Sequence, residues 1–143
     1  MQVISFFQRL KIIFRLDIVV FKNYLYFCCM KFMREIYYFK DYYLDFFNLL
    51  HEDVKLKFNW TLQLIATVKK VPEKYLKHLT GTSGLYEVRV EVASNTYRVF
   101  CFFDRGNLIV LMNGFQKKTQ KTPKNEIELA ERIKKEYFDE QGK

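Results

Sequence analysis

Arginine, lysine and phenylalanine residues occur in a characteristic order in one part of the chain, between Tyr86 and Lys124. Two arginines interrupt alternating apolar segments there, and four lysines follow the apolar run that ends at Phe115. Cations bind phosphates and aromatic rings stack on unpaired bases, so this combination is typical of surfaces that bind single-stranded RNA. The pattern predicts such a surface, and its candidate residues are Arg89, Arg98, Phe100, Phe102, Phe115, Lys117, Lys118, Lys121 and Lys124.

Alternation in the sequence predicts the two strands that carry these arginines. Residues 86–92 alternate tyrosine or valine with charged residues, and residues 97–102 alternate tyrosine, valine or cysteine with arginine and phenylalanine. This period of two is typical of β-strands. Ser94-Asn95 is predicted to form the turn between them. The apolar run 108–112 that follows is predicted to be a central strand, because it is apolar on both sides.

The predicted turn determines which residues are neighbours across the hairpin. In this register Glu91 lies opposite Arg98, and Arg89 lies opposite Phe100. The charged residues and the phenylalanines then share one face, while the other face is rich in valine. We expect helices to cover the valine-rich face and to leave the arginine face open. A simple cross-strand ion pair between Glu91 and Arg98 is worth roughly 0.2–1 kcal/mol, but it does not account for Arg89.

Helical periodicity surrounds the predicted sheet. A short strand at 34–40 precedes two helices with N-caps predicted at Asp41 and Asp53, and the short break between the helices predicts a helical hairpin. One helical turn is predicted at 73–78, and Thr122 is predicted to cap a C-terminal helix. This order predicts an α+β fold with a mostly antiparallel sheet, an N-terminal helical hairpin and a C-terminal helix.

Composition restricts the possible partners and the cellular environment. The net charge of +8 favours a polyanionic or acidic partner, and half of the 143 residues are hydrophobic, which is sufficient for one domain with a sizeable core. The three cysteines, Cys28, Cys29 and Cys101, show neither disulfide nor zinc spacing. We therefore expect free thiols in a reducing cytosol and no metal site.

The first 32 residues are apolar but contain charges that interrupt every window long enough to span a membrane. They also lack the uninterrupted apolar core and the small-residue cleavage site of a signal peptide. We expect residues 1–32 to be a spurious or disordered extension and residues 33–143 to form the domain, with Met33 as the natural start. An amphipathic helix at a membrane interface is the alternative for this segment, and no membrane partner is predicted.

Three stretches of the sequence together resemble one family. The stretches "GLYEVRVEVASNTYRVFCFF" and "LIVLMNGFQKKTQKTP", followed by a helix rich in glutamate and lysine, resemble the RelE/HigB toxins of bacterial type II toxin–antitoxin systems. The resemblance is closest to the phage-derived, HigB-like branch of the RelE/ParE superfamily, and it extends from Met33 to about Gln141. It implies a RelE-like fold of the microbial-RNase type in a cytoplasmic protein.

The resemblance also implies a reaction. Toxins of this kind enter the ribosomal A site and cut mRNA by attack of the ribose 2′-OH on the adjacent phosphate, which requires neither metal nor cofactor. By motif position, Arg89 and Arg98 are expected to bind the phosphate and to stabilise the charge of the transition state. The basic segment after the last strand contains Lys117, Lys118 and Lys121. One of these lysines is expected to act as acid or base.

The identity of the general base is left open by the resemblance. Many relatives carry histidine or tyrosine where this chain has Phe115 and Gln116. His78 is the nearest imidazole in the sequence, and we interpret it as a connector residue because a histidine without a placed partner is weak evidence for catalysis.

The resemblance implies three partners, which are a HigA-like helix-turn-helix antitoxin, the ribosomal A site and mRNA. Two alternatives remain for the same fold. One is a ParE-like inhibitor of DNA gyrase, and the other is a non-catalytic module that binds nucleic acid. Two arginines on one face together with the lysine-rich segment favour the endoribonuclease over both alternatives.

Overall fold

A computed structural model describes residues 32–118 and 121–142 of the chain. The predicted N-terminal extension therefore lies, apart from Phe32, outside the described residues. Within these ranges no helix has both the length and the apolar character that crossing a membrane requires. The elements in chain order are β1 (Glu35–Tyr38), α1 (Tyr42–Asn48), α2 (Glu52–Thr67), β2 (Leu76–His78), β3 (Tyr86–Val92), β4 (Asn95–Asp104), β5 (Leu108–Lys117) and α3 (Lys124–Glu140).

The strands of the described chain form one sheet in the order β1-β5-β4-β3-β2. β1 is parallel to β5, and the other neighbouring pairs are antiparallel. The predicted α+β class, mostly antiparallel sheet and C-terminal helix are confirmed. The helical turn predicted at 73–78 is correct only in its first half: the backbone N–H groups of Tyr75 and Leu76 donate hydrogen bonds to the Pro72 carbonyl oxygen, whereas Leu76–His78 form β2, with Leu76 opposite Val88. A strand of three residues is too short to show a period of two, so the sequence contained no signal for it.

α1 and α2 cover one face of the sheet. Val88, Val90 and Val99 lie on that face with at most 1% of their surface exposed. Phe58 and Ile65 of α2 belong to the same core cluster and are inaccessible to solvent. Apolar residues recur at every third or fourth position of α2, so one side of the helix packs against the sheet. The prediction that helices cover the valine-rich face is confirmed.

Gly114 lies in β5 directly against α1. It is opposite Val99 in the β4–β5 register, beside an irregularity in the pairing of these strands. A Cβ atom built at this position would lie 2.3 Å from the Phe46 ring. Only glycine allows the ring to approach the strand this closely, so the packing of α1 on the sheet requires that residue 114 has no side chain.

α3 covers part of the opposite face, which the sequence predicted to be open. Phe100 and Phe102 on this face are 0% and 1% exposed, and the Phe102 and Tyr137 rings pack with their centroids 5.2 Å apart. The prediction of an open face is therefore wrong for the phenylalanines. The physical reason is that β4 and β5 are apolar on both sides and need a helical layer on each side to exclude water. α3 provides the second layer through Ala130, Ile133 and Tyr137.

The β3–β4 hairpin turns one residue earlier than predicted, at residues 93–94. Ala93 has a φ of 52°, a left-handed conformation that alanine rarely adopts. The sequence therefore contains no residue that signals a turn at this position. Arg89 lies opposite Arg98, where Glu91 was predicted, so the predicted register is wrong, although the predicted ion pair between Glu91 and Arg98 forms, with Oε1 3.7 Å from Nη2. The partner of Arg98 is displaced by two residues, an even number, so the assignment of side chains to the two faces is preserved.

Cys101 is the cysteine that the described residues contain, and it lies fully buried as a free thiol in β4. Burial raises the pKa of this thiol because the thiolate has no water around it. A protonated, inaccessible thiol is unreactive, so Cys101 is a core residue. The other two cysteines, Cys28 and Cys29, lie outside the described residues.

Candidate functional site

Two arginines and one glutamate meet on the sheet face opposite α1 and α2. Glu87 and Arg89 are two residues apart on β3 and project from the same face, and Arg98 projects beside them from β4. Glu87 Oε2 lies 3.2 Å from Arg89 Nε and 3.3 Å from Arg98 Nε. The carboxylate therefore compensates two guanidinium groups that would repel each other across the hairpin. We call Glu87, Arg89 and Arg98 the arginine cluster.

Arg98 is the inner member of the cluster and is only 2% exposed. Its Nη1 donates a hydrogen bond of 2.9 Å to the Tyr97 carbonyl oxygen, and its Nη2 lies 3.7 Å from Glu91 Oε1. Burial lowers the pKa of the Arg98 guanidinium, Glu87 opposes this effect, and Arg89 adds to it. The prediction that Arg98 lies on an open surface is wrong, because its charge is paired inside the protein.

Arg89 is the outer member of the cluster, with 26% of its side chain exposed. Its Nε faces Glu87 but lacks hydrogen-bond geometry. In the part of the chain that the structure describes, its two Nη atoms make neither a hydrogen bond nor an ion pair. A guanidinium can bind a phosphate through two parallel N–H groups. Arg89 is therefore the arginine of the cluster that can contact an anionic ligand.

The segment that joins β5 to α3 contacts the cluster through Thr122. The Thr122 hydroxyl donates a hydrogen bond of 3.2 Å to Glu87 Oε1. The prediction that Thr122 caps α3 is wrong, since the helix begins at Lys124 after Pro123 and has no side-chain capping bond. We call the described residues of this connection, 117, 118 and 121–124, the lysine segment. Its contact with Glu87 brings the segment to the arginine cluster.

The four lysines predicted to form a cationic site all belong to the lysine segment. Lys117 is the last residue of β5 and is half-buried. It projects from the same face as Arg98, because it is two residues beyond Phe115, the partner of Arg98 in the register. The other lysines are exposed and are Lys118, Lys121 and Lys124. The structure thus places the predicted lysines and arginines at the same end of β4 and β5.

The three phenylalanines predicted to stack on bases are buried instead. Phe100, Phe102 and Phe115 are 0%, 1% and 9% exposed. Phe100 and Phe115 pack with ring centroids 5.5 Å apart, and Lys134 of α3 places its Nζ 5.2 Å from the Phe102 centroid. Their predicted exposure is wrong, because α3 covers them. They form the apolar support of the site and do not offer a stacking surface.

The role of Glu87 in the site was not predicted from the sequence. Alternation placed it on the correct face, but the predicted register paired Glu91 with Arg98 and left Glu87 without a partner. In the structure the Glu87 side chain is 3% exposed and that of Glu91 is 69% exposed. The available signal was the spacing of Glu87 and Arg89, since residues two apart on a strand are neighbours on one face.

The fold and the site together define a small α+β domain with a cationic segment beside a paired arginine cluster, a combination suited to an anionic partner. The family model described as "Phage derived protein Gp49-like (DUF891)" matches residues 45–135, which is more than half of the chain. The chain therefore belongs to the Gp49-like family. Comparison with curated proteins gives no match.

The Gp49-like family is a RelE/HigB-like toxin family associated with toxin–antitoxin systems, so it implies an antitoxin partner. The resemblance to RelE/HigB toxins predicted from the sequence is confirmed at this level. The matched range 45–135 contains the whole arginine cluster and the whole lysine segment. The residues that make up the candidate site are thus within the part of the chain that carries the family relationship.

Proposed function

We propose that the protein is a type II toxin with a RelE-like fold, of the HigB-like branch, that cleaves mRNA on the ribosome in the cytoplasm. The observation that carries this proposal is the exposed end of Arg89, whose position is set by Glu87 and which lies at the same end of the sheet as the lysine segment. A fixed guanidinium beside several ammonium groups is suited to bind the backbone of RNA at a single phosphate.

The proposed reaction is an intramolecular transfer of the phosphate. A bond forms between the ribose 2′ oxygen and the adjacent phosphorus as the bond from phosphorus to the 5′ oxygen breaks, which leaves a 2′,3′-cyclic phosphate and a 5′-hydroxyl. A base accepts the proton of the 2′-OH, and an acid protonates the 5′ oxygen. Arg89 binds the non-bridging oxygens, whose negative charge increases in the transition state. The candidates for acid and base are Lys117, Lys118 and Lys121.

Arg98 and Glu87 act in this proposal as positioning residues. Arg98 is too buried to contact a substrate, and its role is to pair with Glu87. Glu87 in turn lies 3.2 Å from Arg89 Nε, and this attraction keeps the Arg89 side chain beside the cluster. A guanidinium held near its binding position before the substrate binds loses less entropy when it does so, and it stabilises the transition state more effectively.

Primer extension on an mRNA in a translating extract tests the proposal. We expect the wild-type protein to cut this mRNA only while ribosomes translate it. Arg89→Ala is expected to lower the cleavage rate about 100-fold, the usual effect of removing one group that stabilises transition-state charge. The matched control is Arg105→Ala, because Arg105 lies in the β4–β5 turn, away from the cluster, with 68% of its side chain exposed. We expect this variant to cleave at the wild-type rate.

The same assay distinguishes the alternatives. Wild-type cleavage by the folded Arg89→Ala variant contradicts the assigned site. Intact mRNA together with inhibition of purified DNA gyrase supports the ParE-like alternative. Neither effect, together with RNA binding that weakens steeply as salt increases, supports the non-catalytic module.

A further inference from the structure

A second surface of interest lies on the outer side of α2. Leu56 and Trp60 are large apolar side chains with 66% and 44% of their surface exposed, and their spacing of four residues places them on the same side of the helix. Tyr75, which precedes β2, packs against Trp60 with the ring centroids 5.4 Å apart. Together with Lys57 and Lys74, these residues form what we call the Trp60 surface.

Lysines surround these apolar groups. Lys57 Nζ lies 4.3 Å from the Trp60 ring centroid, and Lys74 Nζ lies 4.8 Å from the Tyr75 centroid. Residues 54–77 contain six lysines and one glutamate, which gives a net charge of +5. Residues 33–143 contain 19 lysines and arginines and 15 acidic residues, a net charge of +4. Residues 54–77 thus carry more positive charge than the rest of the domain, and two of their lysines, Lys57 and Lys74, lie at the Trp60 surface.

The Trp60 surface and the arginine cluster lie on opposite sides of the sheet. α2 packs its buried side, which includes Phe58 and Ile65, against the valine-rich face. Arg89 and Arg98 project from the other face, with Glu87 between them. The two surfaces adjoin at the edge of the sheet, where the Arg89 backbone N–H donates a hydrogen bond of 2.9 Å to the Tyr75 carbonyl oxygen.

We propose that the Trp60 surface binds an acidic, amphipathic segment of the antitoxin, an inference that rests on the toxin–antitoxin assignment. Exposed Leu56 and Trp60 require apolar side chains from the partner, because their burial provides the binding energy. The lysines require carboxylates, because a partner with the opposite charge is attracted and correctly oriented. An acidic segment with one apolar side meets both requirements.

Other occupants fit this surface less well. For RNA, Leu56 offers no contact to a phosphate, and the Lys57 ammonium already lies over the Trp60 ring, where a base would stack. A second copy of the chain would bring two positively charged surfaces together. Residues 1–31 carry five basic residues and Asp17, a net charge of +4, so they do not complement the surface either.

The location of the surface implies how the antitoxin acts. Because it binds to the outer side of α2, it leaves the Arg89 guanidinium, which projects from the other face of the sheet, uncovered. It inhibits the toxin by increasing the size of the complex, which then does not fit into the ribosomal A site. The complex is therefore expected to spare translated mRNA while the Arg89 guanidinium remains accessible to small anions.

Trp60 is the single tryptophan of the chain, so its fluorescence reports directly on this surface. The experiment titrates the purified toxin with the small protein encoded beside its gene, chosen or engineered without tryptophan. We expect the emission of Trp60 to shift to shorter wavelength as the antitoxin excludes water from the ring. Lys57→Glu and Leu56→Glu are each expected to raise the Kd at least about 30-fold, as for residues central to an interface.

The control variant is Lys135→Glu, the same charge reversal at an exposed lysine on α3, and it is expected to bind as the wild type does. All three variants are expected to keep wild-type mRNA cleavage in the absence of antitoxin, which also shows that they fold. An antitoxin that neutralises Lys57→Glu and Leu56→Glu as it does the wild type, or that leaves Trp60 emission unchanged, overturns the proposal but leaves the proposed ribonuclease intact.

Two further outcomes assign the surface to another occupant. Loss of cleavage by folded Leu56→Glu in the absence of antitoxin shows that the surface contacts the ribosome or mRNA. A wild-type dimer that becomes a monomer in Leu56→Glu, measured by size-exclusion chromatography, shows that the surface binds a second copy. Either result overturns the proposal, and neither depends on whether the cleavage mechanism is correct.

Discussion

Substitution of Arg98 provides the most direct test of how the arginine cluster is held together. Arg98→Ala removes a guanidinium that is 2% exposed and leaves Glu87 buried with one charged partner, Arg89, at 3.2 Å. Removing one partner of a buried ion pair typically costs 3–5 kcal/mol. Because Arg89 and the Thr122 hydroxyl remain near the carboxylate, we expect the free energy of unfolding to fall by about 3 kcal/mol, the lower end of that range.

A double-mutant cycle separates the pair from the rest of the site. Glu87→Gln and Arg98→Met are made singly and together, and each free energy of unfolding is measured by urea denaturation followed by circular dichroism. The double variant removes both buried charges, so it is expected to be more stable than the sum of the single effects predicts, by at least about 1 kcal/mol. The control is the Arg105–Asp104 pair, with charges 3.7 Å apart and Arg105 largely exposed, where Arg105→Ala is expected to cost less than about 1 kcal/mol.

Additivity of the two single effects would refute this description of the cluster. A cost below about 1 kcal/mol for Arg98→Ala would also refute it. Water cannot replace the lost partner of a buried carboxylate at so small a cost. The result also bears on the choice of variant for activity assays. Loss of toxicity in Arg98→Ala combines loss of the site with loss of stability, so Arg89→Ala is the sharper test of function.

Three further predictions concern the fold. Burial raises the pKa of Tyr38 from 10.0 to about 12. Because the unfolded chain loses this proton at a lower pH than the folded protein does, the free energy of unfolding should fall between pH 10 and 12, by up to roughly 2.7 kcal/mol. Urea denaturation at increasing pH measures this decrease, and Tyr38→Phe should reduce its slope. Gly114→Ala should lower the free energy of unfolding by about 1–3 kcal/mol in the same assay, because the new Cβ would lie 2.3 Å from Phe46, and unchanged stability would contradict the close packing of α1. Ala93→Gly should raise it by about 1 kcal/mol, measured by thermal denaturation, because glycine adopts a φ of 52° without steric cost, and a lower melting temperature would contradict the assigned turn.

The strands and their faces were predictable because they depend on local alternation. Glu87 and Arg89 share a face whatever strand lies beside them, since successive side chains point to opposite sides. The register depended on one backbone conformation, the left-handed φ of Ala93, which the sequence does not signal because alanine rarely adopts it. An error at that one residue was sufficient to place the wrong residue opposite Arg98 in the register.

Coverage of the second face was not predictable from local pattern alone. The apolar stripe of α3 shows that the helix packs against something, but the stripe contains no information about which surface it covers. The phenylalanines were the available clue, since Phe100 and Phe102 on the same side of β4 form too large an apolar area to remain in water. Arginine beside phenylalanine predicted a binding surface, whereas the structure separates the two, with the rings beneath α3 and Arg89 outside it.

The parallel pairing of β1 with β5 has a consequence for the time at which the protein acquires its activity. Glu35 pairs with Leu108, so the first strand leaves the ribosome long before its neighbour is synthesised. Contacts so distant in sequence form slowly, because a long loop must close before any of them is made. The sheet is therefore completed, and the lysine segment reaches the arginine cluster, only near the end of synthesis or after release of the chain.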